Sequence, residues 1–208
     1  RSGRVTGVQT CALPIYKMKK IMSILLLIVS VLVLSGCGGG VNYKSTTEEI
    51  KAKVTSSYDS YKKLTTIVGP KMGLGQSDEN AFFGAMYAKW FVRGWKYSDG
   101  SESYQIYISD TVSGGGFRNF RSATSSHGNE HKLTRIDTDV DVSCWGGRGA
   151  GCNTYYTEDF GISLSRSDMN AGLQSSINIK VYSKSGKTRT ISINPKYINA
   201  ILDVVDAN

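Results

Sequence analysis

The feature that most narrows the fold is a two-residue rhythm that begins after Gly69-Pro70. Ala88, Trp90 and Val92 fall on one side of it, with Lys89, Phe91 and Arg93 on the other. Tyr104, Ile106 and Ile108 oppose Gln105, Tyr107 and Ser109 in the same way. Successive side chains of a strand point to opposite faces, so this pattern covers one face of a sheet and makes no helical stripe. Between the two runs, Ser98-Asp99-Gly100-Ser101 is built from residues that favour tight turns, which predicts an antiparallel hairpin. Ile177, Ile179 and Val181 alternate again, Ser185-Gly186 turns the chain, and Ile191 and Ile193 resume the pattern as a second hairpin. Residues 117–123, 133–143 and 155–165 read as further strands.

The ends of this region carry a different period. Thr46 and Glu49 stand at capping-box spacing, and Ile50, Val54, Tyr58, Tyr61 and Leu64 recur every three or four residues. They predict an amphipathic helix of about five turns whose stripe packs on a sheet. Asn194 followed by Pro195 is a cap with proline at the first helical position, and Ile198, Ile201, Leu202 and Val205 line one face of a terminal helix. Residues 167–173 read as one more short turn. The expected fold is α+β, a predominantly antiparallel β-sheet flanked by an N-terminal and a C-terminal helix. A parallel α/β arrangement is disfavoured because helices do not alternate with the strands.

Upstream of the domain the chain reads as an address. Lys19 and Lys20 precede an apolar run from Ile21 to Leu34, and small residues follow at once. A run of about fourteen residues is short for a permanent span, which needs roughly twenty. The junction Leu34-Ser35-Gly36-Cys37 resembles the lipobox of bacterial lipoproteins. That resemblance implies a diacylglycerol on the Cys37 thiol, cleavage before Cys37 and usually acylation of the new amine; two or three chains hold a membrane stably. Val5 to Ile15 resembles the conceptual translation of a sequencing adapter, so residues 1–17 are set aside as upstream read-through, with Met18 as the expected start and Met22 as the second choice. The expected organisation is a signal peptide over 18–36, a lipid anchor and glycine-rich tether over 37–44, and one globular domain over 45–208.

This organisation changes what the charge means. The chain carries 25 basic and 17 acidic side chains, but Arg1, Arg4, Lys17, Lys19 and Lys20 precede Cys37. Without these five the balance is 20 against 17, and the net charge falls from +8 to +3. That excess gives no support to a nucleic-acid partner. Setting aside Cys11 and Cys37 leaves Cys144 and Cys152, which bracket Trp145 and a glycine-rich run. In an oxidising compartment they are expected to close a small loop as a disulfide. A metal site would need more soft ligands than this pair provides, and a redox pair a tighter spacing.

Candidate chemistry is thin. His127-Gly128-Asn129-Glu130-His131 satisfies the H-x-x-E-H pattern and so resembles the inverzincin metallopeptidases, which need it on a helix. Gly128-Asn129 is instead a turn dipeptide, and the only later glutamate that could complete the ligands is Glu158, in a segment read as strand or loop. Asp137, Asp139 and Asp141 imitate the start of a calcium loop, but Val142 and Arg148 stand where glycine and glutamate are required. On a strand they share one face, with Ile136, Val140 and Val142 on the other, and read as a solvated face. Ser113-Gly114-Gly115-Gly116 lacks the lysine of a phosphate loop. Trp90, Trp95 and Trp145 could line a face for sugars or peptides, although sheet packing accounts for them as well. No catalytic residue, metal ligand or cofactor is assigned. The expectation is a lipid-anchored envelope protein that binds another envelope component, either protein or small ligand; a metal-dependent envelope hydrolase and a structural spacer are the alternatives. Gly38, where an aspartate would mark inner-membrane retention, favours the outer membrane if the host is Gram-negative.

Overall fold

The structure, a computed structural model, describes residues 40–74, 87–146 and 151–208. The expected signal peptide and the expected lipid-acceptor Cys37 lie outside them. Among the described residues the domain from Val41 to Asn208 is mostly antiparallel sheet with three helices.

Helix α1 (Thr47–Lys51) is a single turn closed by the expected capping box: Glu49 N–H donates to Thr46 Oγ1 and Thr46 N–H to the Glu49 carboxylate. The predicted five-turn helix stops there. Thr55–Asp59 is strand β1 and Leu64–Val68 strand β2, paired as a hairpin. Three physical effects override the helical spacing. Thr55, Ser56 and Ser57 are poor helix formers. The Asp59 carboxylate accepts the amides of Tyr61 (2.9 Å) and Lys62 (3.1 Å), a side-chain-made turn that Lys63 completes at φ 48°. Finally, β2 pairs with β4 and buries Ile67 completely, whereas Tyr58 and Tyr61 of the supposed stripe face solvent.

Strand β3 (Met72–Leu74) and β2 both pair with β4 (Tyr87–Tyr97), which forms the expected hairpin with β5 (Glu102–Ser113). Gly100 takes φ 82° at the turn, a conformation that costs glycine nothing. The chain then forms β6 (Phe120–Ser125), β7 (Glu130–His131), β8 (Leu133–Trp145) and β9 (Gly151–Leu164). Helix α2 (Arg166–Gly172) has a Ser165–Asp168 capping box. Strands β10 (Ile177–Ser183) and β11 (Thr188–Ile193) make the second hairpin, and α3 (Pro195–Ala207) starts at the Asn194 cap.

A seven-stranded sheet runs β1-β2-β4-β5-β9-β8, with β3 also on β4; a four-stranded sheet runs β11-β10-β6-β7. The core lies between the inner face of the first sheet, the second sheet and α3. Trp90, Val92, Ile106, Ile108, Phe160 and Ile162 face Phe120, Ile179, Val181, Ile191, Ile198 and Ile201 in one buried cluster. The Phe120 and Phe160 rings meet at 4.9 Å across the two sheets. Fully burying such side chains contributes about 1.5–3 kcal/mol each. Among the described residues no helix is long and apolar enough to cross a membrane.

Candidate binding face

The opposite face of the seven-stranded sheet carries the polar half of each alternating run, and its centre is aromatic. Arg93 on β4 places its guanidinium 5.3 Å from the Tyr107 ring centre, 5.6 Å from Phe91 and 5.7 Å from Trp95. The pleat explains the cluster: Phe91, Arg93 and Trp95 are successive same-face residues, and Tyr107 lies opposite Phe91 in register, stacked on it at 4.9 Å. A cation over several rings is held by their negative faces.

Next to it the Tyr107 hydroxyl donates to Asp159 Oδ2 at 2.7 Å. Burial, and then this carboxylate, push the phenol up to about 12. Asp159 Oδ1 is buried and has no hydrogen bond. It borders a cavity of about 220 Å³ shared with Lys71, Lys89, Phe91, Tyr107 and Ser109. Such a concavity offers the Lys71 ammonium, one carboxylate and an aromatic wall to a polar ligand. Further along the sheet the same face turns acidic, because Asp137, Asp139 and Asp141 on β8 stand in register with Asp159, Thr157 and Tyr155 on β9.

The other sequence candidates are dispersed. His127 and His131 sit at either end of a hairpin turn, where Gly128 adopts φ 81° and Ser125 N–H donates to Asn129 O. Both border a second cavity of about 210 Å³ beside Asp168 and α2. Asp168, however, already accepts from the Ser165 amide and hydroxyl, and His131 Nδ1 lies 3.3 Å from Ser163 O. Glu158, the conceivable third ligand, is buried in β9, where its carboxylate accepts the amides of Arg118 (2.6 Å) and Asn119 (2.9 Å). Among the described residues no three His, Cys, Asp or Glu side chains are grouped to hold a metal.

Trp90 is spent in the core, with its ring 4.9 Å from that of Tyr197, so of the three tryptophans Trp95 lies half-buried on the opposite sheet face and Trp145 on the β8–β9 hairpin. The aspartates on β8 share a face as expected, with Val140 and Val142 on the other, and the register shifts by a bulge at Ile136, between Arg135 and Asp137. Cys144 and Cys152 are directly opposite, with sulfurs at a bonding distance of 2.12 Å. The glycines after Ser113 form a sheet-to-sheet connection in which Gly114, Gly115 and Gly116 all take positive φ.

A buried charge cluster escaped the sequence reading altogether. Asp110 on β5 contacts Arg189 on β11 and lies 3.6 Å from Arg118 Nε, and Arg135 reaches Glu158 at 3.5 Å. Burial pushes the Asp110 carboxyl up against the opposing pull of the two guanidiniums. The only available signal was Asp110 on the apolar side of a strand, at the position where Ile106 and Ile108 predict another hydrophobe.

These observations define a two-sheet α+β domain with one sheet face left to an aromatic, cationic and acidic surface. No protein-family model matches the chain, no curated protein is significantly similar to it, and no solved structure matches its fold.

Proposed function

We propose that this chain is a lipid-anchored protein of the bacterial cell envelope, tethered through Cys37, whose open sheet face binds another envelope component. The address rests on Lys19-Lys20, the apolar run after them and Leu34-Ser35-Gly36-Cys37. Gly38 directs it to the outer membrane in a Gram-negative host. The observation that carries the binding reading is Arg93 set among Phe91, Trp95 and Tyr107, beside the cavity bordered by Asp159. A sheet face with no binding role is better served by small polar and charged residues, whereas aromatic rings and arginine are the groups that anchor interfaces.

The test expresses the chain from Met18 with a photocrosslinking residue at Ser109. Palmitate labelling and sedimentation with membranes, both lost in Cys37→Ser, are the expected results for the address. An unlabelled wild-type chain that stays out of the membrane fraction overturns it. One crosslinked species, lost in Arg93→Ala/Trp95→Ala, is expected for the face; the same species at the same yield in that variant overturns the binding reading.

A further inference from the structure

The outer edge of β8 is a second, independent surface. Among the described residues β8 ends the seven-stranded sheet, and its residues from Thr134 to Trp145 are exposed, with Val140 at 47% and Val142 at 55%. The ladder decides which backbone groups that edge presents. Gly114 N–H donates to Thr154 O, so even-numbered β9 residues bond towards β5 and odd-numbered ones towards β8. Asp137, Asp139, Asp141 and Ser143 oppose those odd positions, so the amides and carbonyls of Thr138, Val140 and Val142 point away from the sheet.

Two of these amides are covered by neighbouring carboxylates: Thr138 N–H donates to Asp137 Oδ1 at 2.8 Å and Val140 N–H to Asp139 Oδ1 at 2.9 Å. A second copy is a poor occupant. An added β8 would pair even residues with even residues and set aspartate beside aspartate, and like charges directly opposite destabilise a pair. An extended segment with lysine or arginine opposite Asp137, Asp139 and Asp141 reverses that sign. It draws the carboxylates off the edge amides and leaves Thr138, Val140 and Val142 to complete the ladder. Its other side chains then meet the exposed valines. The Ile136 bulge and the Cys144–Cys152 bond delimit this stretch, and the disulfide holds the two strands in register before any partner arrives.

We propose that the β8 edge from 137 to 143 accepts an extended basic segment of a partner protein as an added antiparallel strand, with cationic side chains at alternate positions and apolar ones between them.

The probe is a synthetic nine-residue peptide alternating lysine and valine, titrated against the full chain in low salt. An alternating glutamate and valine peptide and a peptide of the same lysine and valine content with its lysines at one end serve as comparisons. The expected result is binding of the alternating basic peptide at least tenfold tighter than either comparison. It should weaken at least tenfold both in Asp137→Asn/Asp139→Asn/Asp141→Asn and in Val140→Pro, which removes an edge amide without touching a bond to β9. Val140→Thr keeps that amide and should retain binding, separating loss of the edge from loss of the fold. Hydrogen exchange at Thr138, Val140 and Val142 should slow in the complex. Equal binding of the clustered peptide, unchanged binding in the proline variant, or dimerisation of the chain through this edge each overturn the proposal.

Discussion

The hydroxyl of Tyr197 occupies the space that any side chain on Gly69 would need. From the first turn of α3 that oxygen accepts the Val92 amide proton at 3.2 Å and donates to Pro70 O at 2.9 Å, which ties the C-terminal helix to the middle of β4 and to the link between β2 and β3. Burial pushes the phenol well above its ordinary range, so it stays protonated and able to donate. Tyr197→Phe leaves both backbone groups without their partner and is expected to cost about 1–3 kcal/mol. Gly69→Ala, which forces the ring or the helix to move, should cost a similar amount, about 1–3 kcal/mol. Because the two residues share one contact, urea melts of the double variant should fall short of the sum.

The Asp110 cluster joins the two sheets, and its balance matters more than any one pair. Arg189→Met leaves the buried Asp110 carboxylate with Arg118 alone and is expected to cost about 3 kcal/mol. Asp110→Asn in the same chain should restore much of that loss, since the uncompensated charge is gone. A double variant no more stable than Arg189→Met would contradict this account of the cluster.

Acid should loosen the chain through a different group. Arg166 at the start of α2 reaches Glu102 Oε2 and Asp206 Oδ1, each at 2.8 Å, and holds both carboxylates below their ordinary values of 4.5 and 3.8. For Glu102, burial opposes this pull, and the hydrogen bonds from Tyr104 and Arg166 outweigh it. A carboxylate with a lowered folded value stabilises fully above its unfolded value, and that contribution is lost as pH falls through the folded one. Wild type should therefore weaken below about pH 4.5, and Arg166→Met should lose part of that dependence. Asp110, pushed the other way, works against the trend: protonating it relieves a buried charge. Denaturant midpoints from pH 7 to pH 3 for both chains check the sign.

Reducing the Cys144–Cys152 bond, or replacing both residues with serine, removes a short-loop crosslink worth about 2–3 kcal/mol. A domain of this size should then melt about 5–10 °C lower. Hydrogen exchange should rise first along β8 and β9, where the bond joins opposite residues, while the α3 core keeps its protection.

Gly151 offers a finer probe of the same hairpin. The Trp145 ring lies across it, and a Cβ there would meet Trp145 Cζ2 at 2.8 Å. Gly151→Ala should shift Trp145 fluorescence with little change in global stability, because the displaced ring is already half exposed. An unchanged spectrum would mean the ring does not rest on that backbone.

What the sequence determined by itself is local. The Asp99-Gly100 and Ser185-Gly186 turns, the two-residue alternation on either side of each, the Asn194-Pro195 start of α3 and the α2 turn all follow from the conformational preferences of neighbouring residues, and the structure has each of them. The same is true of Cys144 and Cys152, close in sequence and brought into register by a hairpin. Tertiary structure decided the rest. Residues 55–68 carry helical spacing, yet they become a hairpin because pairing with β4 buries Ile67, a gain no local window contains. Tyr107 met Asp159, and Asp110 met Arg189 across the sheets, because strand order placed them together. Periodicity records which face a residue occupies, whereas its neighbours on that face also depend on register between strands distant in sequence, and the pairing of β5 with β9 is what sets Asp159 beside the aromatic cluster and leaves β8 at the edge.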